Sequence, residues 1–371
     1  MEDAQARAEQ WRLRCQEVGI LYADAAEREV RANARIAVLE AELAGERARI
    51  AQILGSNSWK LTEPLRRARS RPQEGESAQD AGGLDEELFE ARMRAAYDAR
   101  AVSWPQPEPR TLNEKMWQRR LVDRSPLLRT HCDKHASYEY AAKVLPAEVM
   151  PERLGRVDTV EELADLDLPT EYIVKARHAS GGSAVVWDGP PTQGQIWVYP
   201  WIRKSYAASD DPLPEVAEDL AGCLQHDYGW AALEWGYLGL PRQLLVERLY
   251  RDPGGGLPDD LRCLVFHGRV EFFEVSADRQ RDTERIAGWH DREWNPAPIA
   301  MQLRTQAMPR PADLDQAIEM AEALAGDDPF VRVDWLLTSE GLKFSEITPY
   351  SHGGNARFAT QAADELLGSF W

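Results

Sequence analysis

Near the C-terminal end, the run FVRVDWLLTSEGLKFSEITPYSHGG places Asp334 and Glu346 inside two otherwise apolar strands separated by a Ser-Glu-Gly turn. The turn predicts a hairpin over 330–337 and 342–347. A lone carboxylate in such a strand is costly to desolvate. Two that face one cation are not, and paired carboxylates completed by phosphate oxygens and water suit Mg²⁺. The competing reading is a salt bridge from one of these acids to Arg332, and metal binding is preferred over it.

Three further runs supply groups that a nucleotide would need. In CDKHASYEYAAKVL, Asp133 and Lys134 open a helix, so a lysine stands beside outward-pointing backbone N–H groups that suit a phosphate. In EYIVKARHASGGSAVVWDG, Lys175 ends a strand and is followed by a small-residue loop over 178–183, with Gly181 and Gly182 able to approach a phosphate chain. The order is not the GxxxxGK[ST] of a P-loop. His178 lies in the same loop and is counted among the nucleotide-binding residues, although a histidine there by itself more often holds the loop than does chemistry. In RQLLVERLYRDPGGGLPDDLRCLVFHGRVEFFEVS, an apolar strand over 244–246 ends at Glu247. An open strand edge there would pair with adenine, with Asp260 on the ribose hydroxyls. A hairpin over 261–266 and 270–275 turns at His267-Gly268.

These groups need elements to hold them. Helical patterns over 84–97, 113–122 and 137–144 precede a strand-rich stretch with no regular βαβ repeat, which predicts an α+β domain over 84–371. In front of it, residues 1–54 lack proline and are rich in Ala, Glu, Arg and Leu. Ile36, Leu39, Leu43, Ile50 and Ile53 fall on a three-four spacing, which predicts a long helix acting as a coiled-coil arm. The alternative is a solvated helix folded back on the main domain. Residues 55–83 hold the run SNSWKLTEPLR and then a polar, Gly-containing linker.

Composition sets limits. The chain has 371 residues, 43% of them hydrophobic, enough for one large core plus an appendage. A formal net charge of −18 argues against nucleic acid, whose binding depends on Lys and Arg neutralising phosphates. The four cysteines show no metal-ligand or redox spacing, and no apolar run suits a signal peptide or a membrane span. A cytoplasmic protein is expected, recruited to the inner face of the membrane by pathway partners.

In order and spacing, LNEKMWQRRL, CDKHASYEY, IVKARHASGG, LLVERL, DLRCLVFHGRV and FVRVDWLL…LKFSEIT resemble the TupA-like ATP-grasp family, linked to teichuronopeptide and other surface-polymer synthesis. The run SNSWKLTEPLR resembles an SxSWxLTxPLR segment of bacterial surface-polysaccharide glycosyltransferases and their neighbours. The resemblance implies an ATP-grasp fold, two α+β subdomains gripping ATP, with Lys134 and Lys175 on the phosphates and Gly181 and Gly182 in the closing loop. It implies Glu247 and Leu249 at the adenine hinge, Asp260 on the ribose, Asp334 and Glu346 on Mg²⁺, and Arg332 on a carboxylate or acyl-phosphate. Thr348 stands where many relatives carry an Asn metal ligand. The reaction implied is carboxylate–amine ligation through an acyl-phosphate, with a sugar acid or amino acid among the substrates. The alternatives are an ATP-dependent kinase acting on a hydroxyl, and a nucleotide-binding scaffold organised by the arm. The arm is expected to self-associate or to pair with a glycosyltransferase.

Overall fold

The computed structural model describes residues 86–99, 108–186, 195–198, 202–205, 220–277, 286–301 and 304–371. The chain divides into two units, Met1–Asp80 and Ala81–Trp371, and every described residue belongs to the second. The expected arm and the 55–83 segment with its linker lie outside the described residues.

Two six-stranded sheets form the body of this unit. The first runs in the order β1-β6-β2-β3-β4-β5, with β1 Arg153–Val157, β2 Tyr172–Ala176, β3 Ser183–Val186, β4 Gln195–Val198, β5 Ile202–Ser205 and β6 Leu244–Arg248, all neighbours antiparallel. The second runs β10-β9-β8-β7-β11-β12, with β7 Asp259–Phe266, β8 Arg269–Ala277, β9 Ile286–Asp291, β10 Arg304–Thr305, β11 Phe330–Thr338 and β12 Gly341–Thr348. Only its β9–β10 pair is parallel. The class is the α+β one that the sequence predicts.

Side-chain alternation decides which face each residue serves. On β11, Val331, Val333 and Trp335 are buried against the helix Leu314–Ala325, whose Ala317, Met320, Ala321 and Leu324 form its apolar stripe. Arg332, Asp334 and Leu336, one residue out of phase, face the other way, into a cleft. In the first sheet, Ile173 and Lys175 of β2, Ser183 and Val185 of β3, and Glu247 of β6 share the cleft-lining face.

Helices close the ends. Leu112–Val122 starts on a capping box in which Thr111 Oγ1 accepts from Glu114 N at 3.1 Å and Glu114 Oε2 from Thr111 N at 3.0 Å. Its Asn113 bonds Asp364 of the C-terminal helix Gln361–Ser369 through both N (3.0 Å) and Nδ2 (2.8 Å). The helix expected over 137–144 instead spans Lys134–Ala141, because Asp133 caps it, accepting from His135 N (2.9 Å) and Ala136 N (3.3 Å).

Candidate active site

Between the two facing sheet surfaces lies a cleft of about 860 Å³. One part is apolar, lined by Ile173, Val185, Leu249, Leu257, Leu336 and Phe344; its middle is crowded with charge. Of the residues singled out by sequence, Lys134, Lys175, Gly181, Glu247, Leu249, Asp260, Arg332, Asp334, Glu346 and Thr348 all line it.

Register explains the charged centre. Asp334 sits opposite Glu346 on β12 and opposite Arg262 on β7, while Arg262 in turn sits opposite Glu274 on β8. Cross-strand partners on one face are close enough to bond. Arg262 Nη1 donates to Glu274 Oε1 (2.9 Å) and Nη2 to Asp260 Oδ2 (3.2 Å), with Nε 3.9 Å from Asp334 Oδ2. Burial works against the Arg262 charge, but the carboxylates of Glu274, Asp260 and Asp334 outweigh it and raise its pKa.

Both acids reach one face of the hairpin because of a β-bulge. From the turn, β12 pairs regularly with β11 up to Trp335↔Phe344, and the register then shifts so that Asp334 meets Glu346. An unbroken ladder would set Asp334 against Ser345 and send Glu346 to the opposite face.

Asp334 already has a cation. Arg332 Nε and Nη2 donate to its two carboxylate oxygens at 2.7 and 2.6 Å, so the salt bridge ranked second from the sequence is the observed arrangement. The reason is spacing: two residues apart on one strand, the two side chains share a face. Glu346 is differently placed, its side chain 31% exposed and its nearest cations Lys134 Nζ at 3.6 Å and Arg332 Nη2 at 3.7 Å. Burial would raise its pKa, but Lys134, Arg332 and Lys175 dominate and bring it down to about 2. Thr348 Oγ1 donates to Glu346 Oε1 (3.1 Å) and accepts from Arg332 Nη2 (3.3 Å).

Two carboxylates and a hydroxyl on one hairpin face fit Mg²⁺ in its usual role, in which water and phosphate oxygens complete the shell. Glu346 would be the accessible ligand for such an ion, and Asp334 would have to exchange from Arg332 to join it. Among the described residues no group of three or more His, Cys, Asp or Glu is arranged to hold a metal without such outside ligands.

The two lysines approach from the other sheet and the helix start. Lys175 Nζ is 2.6 Å from Glu247 Oε2, and Lys134 Nζ donates to Ala179 O at 2.5 Å. Cations and carboxylates therefore neutralise one another across the cleft, and a triphosphate would take over cations now held by Glu247 and Glu346.

Three expectations need correction. The edge of β6 at Glu247 is not open: β1 and β2 flank it, and Glu247 pairs with Arg153 on one side and Ile173 on the other. The backbone leaves the sheet only after Arg248, whose N donates to Glu152 O at 2.9 Å, so Leu249 and Tyr250 are cleft-lining positions beyond the strand pairing. His178 is buried with Nε2 3.2 Å from Cys223 O, and it does not line the cleft. Gly182 serves the turn: its φ is +65°, and its carbonyl accepts from Ala176 N at 2.8 Å. Gly181, with φ +81°, is the loop glycine that faces the cleft.

Sequence reasoning missed Arg262, Glu274 and His352. His352 lines the cleft just beyond β12, its Nε2 3.1 Å from Glu274 Oε2.

A family model described as TupA-like ATPgrasp matches residues 233–371, which takes in β6 and the whole second sheet. No curated protein matches the chain by sequence. Solved structures that resemble it include a Bacillus anthracis D-alanine–D-alanine ligase complexed with ATP, at 12% identity and TM-score 0.32, over 68% of this chain and 61% of that one. The ATP-grasp ligase PsnB with minimal precursor, Mg and ADP aligns at 12% identity and TM-score 0.31, over 81% and 65%. A Chryseobacterium gregarium RiPP-associated ATP-grasp ligase with ADP and a leader and core peptide aligns at 12% and 0.32, over 73% and 66%. This chain spans less than two-thirds of the length of the first two.

Proposed function

We propose that the protein is an ATP- and Mg²⁺-dependent ligase that joins a carboxylate to an amine through an acyl-phosphate. The observation that carries this reading is the convergence of Lys134 and Lys175 on the Arg332–Asp334–Glu346 face of the β11–β12 hairpin within one cleft. Adenine would occupy the apolar part beside Leu249, and the triphosphate would exchange Lys175 away from Glu247. Mg²⁺, held by Glu346 and Asp334 with Thr348 beside them, would neutralise charge on the phosphates. Arg332, released from Asp334, would hold the carboxylate as its oxygen attacks the γ-phosphorus. Positioning and electrostatics do most of the work in such a transfer, so no side-chain nucleophile is required.

The polymer reading rests on residues 56–66 and their likeness to the SxSWxLTxPLR segment. It places the substrates among sugar acids and amino acids of surface-polysaccharide assembly. Residues 1–54 would then serve association and not chemistry.

The test is product mass spectrometry with ATP, Mg²⁺, and panels of sugar acids, amino acids and amino sugars. A product formed by loss of water from acid plus amine, with ADP and phosphate released, is the expected result; a product heavier by one phosphoryl group would mark a kinase instead. Lys175→Ala and Glu346→Gln should each lower turnover by about 100-fold or more while leaving the protein folded. Normal ATP consumption by both variants would remove the assignment.

A further inference from the structure

Amide formation from an acyl-phosphate requires the attacking nitrogen to lose a proton to a group near the reacting end of the cleft. Lys134, Lys175, Arg262 and Arg332 are cations, and Asp334 and Glu346 are committed to cations or metal. A further titratable side chain, the His352 imidazole, reaches the cleft from the turn that follows β12.

That turn is unusual in its backbone. His352, Gly353 and Gly354 follow one another with φ of 51°, 58° and 66°. Glycine adopts this left-handed region freely, whereas a histidine there is strained. The flanks hold it in place. Tyr350 Oη accepts from Gly236 N at 3.2 Å, and Gly354 O accepts from Trp117 Nε1 at 2.9 Å. A Cβ at Gly354 would meet Met116 and Trp117 at 3.0 Å, so the turn is packed tightly on the helix Leu112–Val122.

The left-handed backbone sets the His352 imidazole against Glu274, with Nε2 to Oε2 at 3.1 Å. Glu274 is buried and ionised: burial opposes its charge, but Arg262 at 2.9 Å and His352 overcome this and lower its pKa. A carboxylate can only accept, so the proton of a neutral imidazole sits on Nε2 and Nδ1 carries the lone pair. Nδ1 makes no hydrogen bond among the described residues, and it is not among the buried polar atoms left without a partner, so solvent reaches it. The neighbouring Ser351 Oγ is 3.4 Å from Arg332 Nη1, which ties this turn to the reacting end of the cleft.

We propose that His352 is the proton acceptor for the attacking amine, with Glu274 as the positioning residue that fixes its tautomer. This rests on the ligase reading above. The amine nitrogen bonds to the acyl carbon, the bond from that carbon to the phosphate oxygen breaks with its electron pair leaving on phosphate, and the nitrogen's proton passes to Nδ1. The imidazolium so formed is stabilised by Glu274, and it returns its proton to solvent after phosphate leaves.

Hydroxylamine separates this step from acyl-phosphate formation, because it is uncharged at neutral pH and traps acyl-phosphates as hydroxamates without help in shedding a proton. The experiment measures, for wild type and His352→Asn, the ratio of amide formed with amino acids or amino sugars to hydroxamate formed with hydroxylamine, across the panel of sugar acids and amino acids. Asn suits a left-handed position and lacks a base. The expected result is a ratio lowered by about 100-fold or more, partly restored by added imidazole in His352→Gly, which accepts the turn even if the Asn variant folds poorly. Glu274→Gln should lower the same ratio. An unchanged ratio in both His352 variants overturns the assignment and leaves the ligase reading standing. Failure of wild type to form either product from any acid overturns the ligase reading, and His352's role with it.

Discussion

Two buried arginine–aspartate pairs lie along the line of β11, one just before the strand and one within it, and their surroundings differ in one respect. Before the strand, Arg119 Nη2 sits on both oxygens of Asp328, at 2.9 and 3.0 Å, with both side chains at most 4% exposed. Its remaining donors go to Phe330 O, Pro349 O and Asp123, so every neighbour is protein. In mid-strand, Arg332 holds Asp334 by two parallel bonds, but that pair lines the cleft beside the partly exposed Glu346. The sealed pair ties the helix Leu112–Val122 to the sheet. The open pair is the same chemistry placed where a ligand can compete for either member.

The sealed pair should therefore be the more costly to break. Arg119→Met leaves the buried Asp328 without its arginine, keeping only the Phe330 N–H at 3.1 Å and the His131 ring at 3.8 Å, and such half-removals cost about 3–5 kcal/mol. Urea denaturation should show this loss in full, and Arg119→Met combined with Asp328→Leu should recover most of it. Arg332→Met should cost markedly less, since Arg262 remains 3.9 Å from Asp334 and the cleft admits water. Equal losses for the two arginines would break the comparison.

Protonation separates the same two regions by pH. His131, fully buried beside Asp328, is pushed down to about 3 by burial and then by the Arg119 charge. Its unfolded counterpart titrates near 6.5, so the unfolded state binds more protons between those values and stability falls as pH drops below 6.5. The slope from one such group is at most about 1.4 kcal/mol per pH unit. Glu346 acts lower: its contribution is complete above 4.5 and is lost as pH falls toward about 2. His131→Leu should flatten the stability profile between 4.5 and 6.5, and Glu346→Gln should leave that window unchanged. A window that responds to Glu346→Gln and not to His131→Leu would reverse the assignment of the two regions.

How much of this was legible in the sequence depended on ladder register. The hairpin of β11 and β12 followed from its turn, and the lysines from their strand-end and helix-start positions. Arg262 facing Glu274 did not. Counted back from the His267-Gly268 turn, an unbroken ladder sets Arg262 opposite Phe273, and only the register shift between Leu264 and Val265 brings Glu274 to it. A bulge is an insertion in geometry and leaves no mark in residue type, so the Arg262 cluster was invisible while the two acids of β11 and β12 were found by their chemistry. Asp334 and Glu346 stand opposite each other for a reason that the sequence does not display, since that register needs the bulge at Ser345. His352 was hidden for another reason. The Ser-His-Gly-Gly run signals a turn, but the burial of Glu274 under it is a long-range contact, 78 residues away.

The smallest expected effect lies at Thr348, where the open region has a hydroxyl in place of an amide. Thr348 faces Arg332 across the β11–β12 ladder, and its Oγ1 spans Arg332 Nη2 and Glu346 Oε1. It thereby fixes the orientation of Glu346, the more exposed of the two carboxylates proposed to hold the metal, while an Asn at this position would offer an oxygen to the metal itself. Thr348→Val keeps the side-chain shape and removes both bonds, so about 0.5–1.5 kcal/mol is at stake. With Glu346 unrestrained, its carboxylate can swing toward Lys134, 3.6 Å away, and metal binding must reverse that. The Mn²⁺ affinity of the ADP complex, read by electron paramagnetic resonance, should weaken by about 3- to 10-fold, since 1.4 kcal/mol is tenfold. Thermal stability should change little, because the cleft-side bonds do not hold the sheet together. An unchanged Mn²⁺ affinity would show that Glu346 needs no orienting partner and would leave metal binding to the two carboxylates alone.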